Sequence, residues 1–577
     1  MNRTYRALSA LLLMQPALAQ APAWTTYGES AGDNFGFSMV TADDWNSDGV
    51  ADLLVGSPGV DGVGPDTGRI TLFSGATGAE LFEVDGLNGG DRAGRSVASL
   101  GDVNGDGVGD FAYGAPTRSV SGPQAGGVFL ISGSDGSAIF SWEGTTPYGI
   151  FGFSIANAGD LDNDGLNDLL VGAPNEDPSG PDSGAVYAFS TGSFNSLHTL
   201  SGANPGDKFG ATLISIGDAN LDAIPDFLVG SPDETSGGVI AAGSVRLYSG
   251  ADASSLGAWF GLNAGARYGA ALSPIGDRDS DGRVDFAIGA PGDVSGGGPA
   301  CGRVELRSGL NGGLFLAING APTTALGASL AALGDLNSDG VCDLLVGAPD
   351  APIGGAVFLF SGLDAALLDV IQASAEPNSQ FGHAIASLNL PSAAGPPQWA
   401  ASSPLKDLDA SNDHGALSLY SDLLQPGLIF CSGDGSAAPC PCGNTGPEDH
   451  GCANGDGTAA HLRAAGSSST ANNDLSFLAE ALPPGQPALL YTGINRIQSG
   501  QGVGFGDGLR CTGGAVFRLG VRFANPVGDA EWSAPFISTP WSAGTTRHFQ
   551  AWYRNTPSPA CGSGYNLSNG YSVSFTP

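Results

Sequence analysis

The chain has 577 residues, which is enough for a large core and for more than one domain. It is strongly acidic, with 57 Asp and Glu against 21 Lys and Arg and a net charge of −36, which argues against nucleic acid and anionic membrane surfaces as partners. Its 93 Gly follow no collagen period and suit a turn-rich all-β protein.

The sequence predicts that residues 1–19 are a secretory signal peptide. Arg3 and Arg6 supply positive charge, residues 7–14 are mostly apolar, and Ala17-Leu18-Ala19 is an A-x-A cleavage site. No later apolar run reaches the ~18 residues that would span a bilayer. We therefore expect cleavage after Ala19 and a mature protein that is secreted or held at the cell surface.

One nine-residue pattern recurs six times. It has Asp or Asn at positions 1, 3, 5 and 9, and five of the six copies have Gly at position 6. Successive copies start 58, 58, 58, 59 and 58 residues apart, and a spacing that constant indicates a structural repeat. The copies are DWNSDGVAD (44–52), DVNGDGVGD (102–110), DLDNDGLND (160–168), DANLDAIPD (218–226), DRDSDGRVD (277–285) and DLNSDGVCD (335–343).

The pattern predicts a calcium loop. Ca²⁺ takes six to eight oxygen ligands, and alternating Asp and Asn can turn several oxygens inward from one tight turn. The carbonyl of position 7 and the Asp of position 9 would complete the set. An EF-hand would also need Glu at position 12, but that position lies here within an apolar run. The remaining alternative is an Asp- and Gly-rich turn that binds no metal.

Six loops in register favour calcium over that alternative, so we expect five or six Ca²⁺ sites. The fourth loop should be the weakest, because Ala223 replaces the Gly. The predicted ligands are Asp44, Asn46, Asp48, Val50 and Asp52; Asp102, Asn104, Asp106, Val108 and Asp110; Asp160, Asp162, Asp164, Leu166 and Asp168; Asp218, Asn220, Asp222, Ile224 and Asp226; Asp277, Asp279, Asp281, Arg283 and Asp285; and Asp335, Asn337, Asp339, Val341 and Asp343.

Each repeat predicts four strands and shows no helical period. One strand leads to a Phe-Gly pair, a second enters the Asp loop, an unbroken apolar strand ends at Gly-Ala/Ser-Pro, and an alternating strand ends at Ser-Gly. Four-stranded units repeated around an axis make a β-propeller. A seventh unit begins at Phe381-Gly382 without an Asp loop, and Trp24–Tyr27 should complete a blade built from the other end of the chain. The sequence therefore predicts an all-β, seven-bladed propeller over residues 24–422.

Phe-Gly, the Asp loop and Gly-Ala-Pro together resemble the FG-GAP repeat of the integrin alpha-chain N-terminal propeller. The resemblance implies seven blades, calcium in some of them, and adhesion through the face opposite the calcium loops. On that face we expect the variable loops after Gly-Ala/Ser-Pro to bind an extracellular protein or glycan. The sequence shows no von Willebrand A-type insert and no integrin leg domains, so heterodimer signalling is not implied and a monomer is expected.

A linker over residues 423–430 precedes a predicted Cys-rich β domain, residues 431–577, which we read as a small β-sandwich. It resembles an uncharacterised C-terminal module of exported bacterial proteins, which implies no activity. Six Cys in an exported protein favour three disulfides with 15 possible pairings, and they are Cys431, Cys440, Cys442, Cys452, Cys511 and Cys561. The alternative is zinc held by Cys431, Cys440, Cys442, His450 and Cys452. Cys301 and Cys342 could form a bridge or stay separate buried thiols.

The sequence predicts a binding protein rather than an enzyme. Its six His lie in no nucleophile or metalloprotease motif, and the loop carboxylates are better explained as calcium ligands than as acid–base pairs. Two alternatives stay open. One is an extracellular hydrolase or lyase on a propeller scaffold, and the other is a purely structural surface or matrix protein.

Overall fold

The chain divides into two compact units, residues 1–421 and 422–577. The computed structural model describes residues 22–336, 339–352, 354–372, 378–388, 398–406, 414–420, 427–430, 439–445, 450–453, 458–465, 475–497, 502–505, 507–526, 528–533, 541–542, 545–554 and 564–574. The predicted signal peptide lies outside these ranges. Within them, no helix has the length and apolar character needed to cross a membrane.

The first unit is built from seven four-stranded antiparallel sheets. The strands of the first three are β2 (Ser38–Thr41), β3 (Leu53–Ser57), β4 (Arg69–Phe73) and β5 (Glu80–Asp85); β6 (Ser96–Gly101), β7 (Asp110–Gly114), β8 (Gly127–Ile131) and β9 (Ala138–Glu143); and β10 (Ser154–Gly159), β11 (Asp168–Ala173), β12 (Ala185–Phe189) and β13 (Ser196–Ser201). The next three are β14 (Thr212–Gly217), β15 (Asp226–Ser231), β16 (Ser244–Tyr248) and β17 (Ser255–Phe260); β18 (Ala271–Pro274), β19 (Phe286–Ala290), β20 (Arg303–Arg307) and β21 (Leu314–Asn319); and β22 (Ser329–Gly334), β23 (Asp343–Ala348), β24 (Ala356–Phe360) and β25 (Leu367–Gln372).

The seventh sheet closes the ring with the first strand of the chain. It comprises β26 (Ile385–Ser387), β27 (Trp399–Ser403) and β28 (Ala416–Tyr420), and β1 (Trp24–Tyr27) pairs antiparallel with β28 as its outermost strand. The first strands of the seven blades contact one another in sequence, and β26 contacts β2. The prediction of a seven-bladed propeller is confirmed, as is the pairing of Trp24–Tyr27 with the end of the propeller.

Burial follows the hydrophobic pattern of each strand. The second strand of a blade is covered on both sides, and all of β3 is buried, which explains its unbroken apolar run. The outermost strand β5 alternates between exposed and half-buried residues. Leu54 and Ile70 of the first blade pack against Phe111 and Tyr113 of the second, so the core lies between neighbouring sheets.

The Phe-Gly and Gly-Ala/Ser-Pro motifs meet between neighbouring blades. A side chain at Gly56, in the Gly-Ser-Pro of the first blade, would collide with the carbonyl oxygen of Gly94, in the Ala-Gly pair of the second. The Ser38 hydroxyl donates to the same carbonyl at 2.8 Å. The two motifs therefore recur together because each blade needs a close backbone approach to the next one.

The second unit is also all-β. Its strands are β29 (Gly427–Phe430), β30 (His461–Ala465), β31 (Ser476–Glu480), β32 (Pro487–Gly493), β33 (Asn495–Arg496), β34 (Val503–Phe505), β35 (Gly508–Arg510), β36 (Thr512–Gly513), β37 (Phe517–Phe523), β38 (Ala530–Ser533), β39 (Thr546–Arg554), β40 (Tyr565–Leu567) and β41 (Gly570–Ser574), and a short 3-10 helix covers Pro441–Gly443. A six-stranded and a three-stranded sheet share one core, in which the Phe477 and Phe549 rings lie 4.4 Å apart. Strand β29, within the predicted linker, pairs with β41.

Three cysteines among the described residues of the second unit are disulfide-bonded. Cys440 and Cys452 are bonded to each other, and Cys511 is also disulfide-bonded. The Cys440–Cys452 bond removes two of the five ligands that the zinc alternative needs. Cys431 and Cys561 lie outside the described residues. In the propeller, Cys301 and Cys342 are free thiols, so the possible bridge between them is not formed.

Candidate metal centres on one face of the propeller

The antiparallel order of the blades separates two kinds of connection. In the first blade, residues 42–52 and 74–79 lie at one end of the sheet, whereas residues 58–68 and 86–95 lie at the other. All six Asp loops correspond to residues 42–52. We call their end of the propeller the Asp-loop face, and the end formed by the equivalents of 58–68 and 86–95 the variable-loop face.

The first Asp of each loop holds the turn by accepting two backbone N–H groups. One Asp44 oxygen accepts the N–H of Asp48 at 3.0 Å, and the other accepts that of Gly49 at 2.8 Å. Asp48 in turn accepts the N–H of Val50 at 3.0 Å. All three bonds recur in the other five loops. The six loops therefore share these three bonds, including the fourth, where Ala223 replaces Gly.

The Asp at position 9 anchors each loop to the rest of its blade. Asp52 is fully buried. One of its oxygens accepts the N–H of Trp45 at 2.8 Å, and the other accepts that of Gly75, in the turn after β4, at 3.1 Å. The same two bonds form in the other loops, with Thr191 in place of Gly in the third.

Burial raises the pKa of these anchoring carboxyls. The pKa of Asp168 rises to about 7, mainly because burial penalises the charged form and in part because Asp162 and Asp164 repel its charge. Burial is also the leading cause of the raised pKa of Asp52, Asp110, Asp226 and Asp285. A divalent cation in the loop would offset the repulsion and favour the charged form.

The third and fifth loops bring three carboxylates within reach of one cation. Within each set the oxygens lie within 4.8 Å of one another, and the sets are Asp160, Asp162 and Asp168, and Asp277, Asp279 and Asp285. In the fifth loop, the second oxygen of Asp281 is also buried and has no hydrogen-bond partner among the described residues. A buried, unpartnered carboxylate oxygen is costly unless a cation or donor compensates it. These residues therefore fit a hard divalent cation, which prefers carboxylate oxygens.

The second and fourth loops carry a different polar network. The Asn104 side-chain amide donates to Asp106 at 2.9 Å and to Ser132 at 3.2 Å. The Asn220 amide likewise donates to Asp222 at 2.8 Å. An N–H group thus already faces the carboxylate of position 5 in these two loops. Of the predicted ligands, Asn337 in the sixth loop lies outside the described residues.

A recurring Ser hydroxyl near the loops was not identified from the sequence. Ser74, in the Ser-Gly pair after β4, donates to Asp48 at 3.1 Å. Equivalent contacts join Ser132 to Asp106 at 3.3 Å, Ser249 to Asp222 at 3.4 Å and Ser361 to Asp339 at 2.9 Å. A Ser recurs 26 to 31 residues after the first Asp of each loop, at the end of the alternating strand, and this recurrence could have predicted the contact.

A closed ring of seven four-stranded blades with Asp-rich loops on one face defines the first unit as a seven-bladed propeller with candidate divalent-cation loops. The FG-GAP repeat family model matches residues 93–131, 151–189 and 326–360. These stretches fall in the second, third and sixth blades, and each begins at the Phe-Gly pair or its equivalent. The unit is therefore an integrin alpha-like FG-GAP propeller.

The chain is also similar to integrin alpha chains across animals. Integrin alpha-5 from Xenopus laevis is 36% identical over 162 residues, which are 25% of this chain and 15% of that protein. Integrin alpha-PS5 from Drosophila melanogaster is 35% identical over 168 residues, 26% of this chain and 16% of that protein. Integrin alpha-8 from Gallus gallus is 32% identical over 215 residues, 34% and 20% respectively. The chain thus spans only 15–20% of the length of these relatives.

Proposed function

We propose that the first unit is an extracellular, calcium-stabilised propeller that acts in adhesion, or in protein or glycan binding, through its variable-loop face. The proposal separates a scaffold from a recognition surface. The six Asp loops repeat one hydrogen-bond pattern, as a scaffold requires, whereas the connections at the opposite end differ in length and chemistry from blade to blade. Loops held on a rigid scaffold are where recognition usually lies.

The observation that carries this proposal is the placement of exposed apolar side chains. Among the described propeller residues, the large apolar side chains that are more than half exposed on the variable-loop face are Val63, Leu87, Val120, Tyr148, Ile240 and Leu262, at 55–76%. Among the described residues of the Asp-loop face, Leu221 alone reaches that level, at 64%. The concentration of exposed apolar side chains on one face supports an interaction site there.

Hydrogen bonds join the loops that carry these side chains into pairs. The Tyr148 N–H donates to the Pro123 carbonyl at 2.7 Å, and the Gly265 N–H donates to the Ile240 carbonyl at 2.9 Å. Each bond links a variable loop to the loop that precedes the next blade. The loops that carry the exposed apolar side chains are therefore held in place before a partner binds, which lowers the entropic cost of binding.

Ion pairs across the same boundary hold charged side chains in place on this surface. Arg92 pairs with Asp66 at 3.2 Å, Lys208 pairs with Asp182 at 3.1 Å, and Arg267 pairs with Asp233 at 3.3 Å. Each pair again joins a variable loop to the loop before the next blade. Because the whole chain carries a net charge of −36, we propose a basic protein patch or a cation-bridged glycan as ligand, rather than a polyanion.

The ligand-binding proposal is tested with apolar-to-polar variants on the two faces. The double variants Val120→Ser/Tyr148→Ser and Ile240→Ser/Leu262→Ser are compared with Leu221→Ser, which removes an equally exposed side chain from the Asp-loop face. Binding to extracellular protein and glycan arrays is measured with and without a calcium chelator. We expect the double variants to lose binding at least tenfold and Leu221→Ser to retain it. The opposite result would place recognition on the Asp-loop face.

Calcium is the cation that we propose for the Asp loops, with five or six sites. Support comes from the carboxylate sets of the third and fifth loops and from the buried, unpartnered oxygen of Asp281. Asp281→Asn keeps the oxygen that accepts the Arg283 N–H but removes charge. It should abolish one site in a calorimetric calcium titration. Asp252→Asn, in an exposed turn outside the loops, should leave the number of sites unchanged. Equal titrations for both variants and the wild type would remove the fifth loop from the proposal.

We propose binding rather than catalysis at the propeller axis. The axial cavity brings Arg95 and His383 together, which are residue types that an enzyme could use. Asp233 is the one acidic residue in its described lining, and it is paired with Arg267. An acid–base pair of the kind that hydrolases and lyases use is therefore not formed among the described lining residues.

A further inference from the structure

The residue that follows each Phe-Gly pair, or its equivalent, faces the propeller axis. These seven residues lie at the wall of a cavity of about 710 Å³ on the variable-loop face, and they are Phe37, Arg95, Phe153, Ala211, Ala270, Ala328 and His383. The large side chains come from four consecutive blades of the ring, and the three Ala come from the other three. The cavity is therefore lopsided, with one crowded wall and one open wall.

Arg95 lies on the crowded wall between two aromatic rings. Its guanidinium carbon is 4.3 Å from the centre of the Phe37 ring and 4.3 Å from that of Phe153. The His383 ring lies 5.0 Å from the Phe37 ring on the same wall. Both rings contact the guanidinium, which is planar. The N–H groups of an Arg side chain all point outward within that plane, so they can only be satisfied from its edge.

Arg95 differs from the other two basic side chains in the lining. Lys208 and Arg267 are paired with Asp182 and Asp233, whereas no side-chain hydrogen bond or ion pair joins Arg95 to the described part of the chain. Burial and the nearby charge of Arg92 lower the pKa of Arg95 to about 10, so it stays protonated at neutral pH. A half-buried cation without a carboxylate is unexpected in a chain with 57 Asp and Glu and only 21 Lys and Arg.

We propose that the axial cavity is a carboxylate-binding site in which Arg95 is the anion-binding group. A planar guanidinium with an open edge can hold one carboxylate through two parallel hydrogen bonds. The Ala wall leaves room for the group that carries the carboxylate, and a cavity of this size is typical of small-ligand sites. Lys208 and Arg267 in the lining are already paired with Asp182 and Asp233, so Arg95 is the lining cation that remains for a single carboxylate of the ligand.

Two sources share this chemistry, namely a free small carboxylate and an acidic side chain of a polypeptide. Carboxylate binding at Arg95 is a separate function from adhesion through the exposed apolar side chains of the variable-loop face, and it does not depend on that adhesion. Variants such as Ile240→Ser/Leu262→Ser leave Arg95 intact, and Arg95 variants leave those apolar side chains intact. Failure of one proposal is therefore distinguishable from failure of the other.

The test is a calorimetric titration of the full, calcium-loaded chain with two kinds of probe. Sodium acetate represents the free carboxylate, and sodium chloride at equal ionic strength controls for salt. The capped pentapeptide Gly-Gly-Asp-Gly-Gly represents the acidic side chain, and its Asn counterpart is its control. Each probe is titrated into the wild type, Arg95→Met, Arg95→Lys and Arg267→Gln. Met preserves a flexible side chain between the two Phe rings, and far-UV circular dichroism confirms that each variant is folded.

We expect acetate or the Asp peptide to bind the wild type, and Arg95→Met to weaken that binding at least tenfold. Arg267→Gln should change it less than twofold, because that side chain is already paired. Acetate binding identifies a free carboxylate as sufficient, whereas binding of the Asp peptide alone identifies a polypeptide side chain. The proposal is overturned if neither probe binds the wild type, or if binding survives in Arg95→Met, because Arg95 would then only fill the propeller axis.

Discussion

Replacing Ala223 by Gly should stabilise the propeller. Ala223 occupies position 6 of the fourth loop with φ +74°, whereas the Gly at this position in the other loops have φ +86° to +92°. A non-Gly residue in this left-handed region costs roughly 1–2 kcal/mol. Gly offsets part of that gain, because it adds roughly 0.4–1 kcal/mol of entropy to the unfolded chain. We therefore expect Ala223→Gly to raise the free energy of unfolding by about 0.5–1 kcal/mol.

Gly107→Ala in the second loop is the matched reverse change. Nothing lies within 4 Å of a Cβ added at Gly107, so its cost isolates the backbone conformation, without any steric clash. It should lower the free energy of unfolding by the same amount. Urea unfolding of the full chain, followed by far-UV circular dichroism in excess calcium and in chelator, measures both variants. If neither variant shifts the transition, the left-handed backbone carries no cost, and the reason for expecting a weak fourth loop is wrong.

Three further predictions concern metal, pH and ring closure. Chelation should lower the melting temperature, because calcium at ten times Kd stabilises by about 1.4 kcal/mol per site; an unchanged melting temperature would contradict calcium-stabilised loops. Burial and the charge of Arg95 lower the pKa of His383 to about 4. The neutral His383 side chain therefore contributes at most about 3 kcal/mol to the free energy of unfolding. This contribution is present above pH 6.5 and is lost as the pH falls towards 4. His383→Phe should flatten that part of the stability profile relative to His198→Gln, and parallel profiles would refute the role of His383. Deleting residues 22–27 should lower the melting temperature and produce dimers on size-exclusion chromatography, because the edge of β28 is freed. Deletion of residues 1–21 is the control. A stable monomer in both cases would show that β1 is dispensable.

The sequence by itself determined the repeat, the strand types and the geometry of the Asp loops. Alternation of apolar residues sets which face of a strand is buried, and Asp, Asn and Gly set turns through bonds to their own neighbours. These effects act over a few residues, so the same loop bonds form in the fourth copy despite Ala223. The pairing of Trp24–Tyr27 with the end of the propeller was also predictable, because counting strands left the seventh blade one strand short.

The tertiary structure alone decided which distant residues meet. Arg95 and its two Phe partners come from three different blades, 58 residues apart in each step, and only closure of the ring brings them to one axis. The contact of Ser74 with Asp48 likewise depends on the third strand folding against the second. The apolar side chains in the loops of the variable-loop face are exposed because those loops lie at one end of each sheet. Such contacts depend on long-range packing, which local propensity and spacing do not encode, because each repeat taken alone has the same local pattern wherever it stands in the ring.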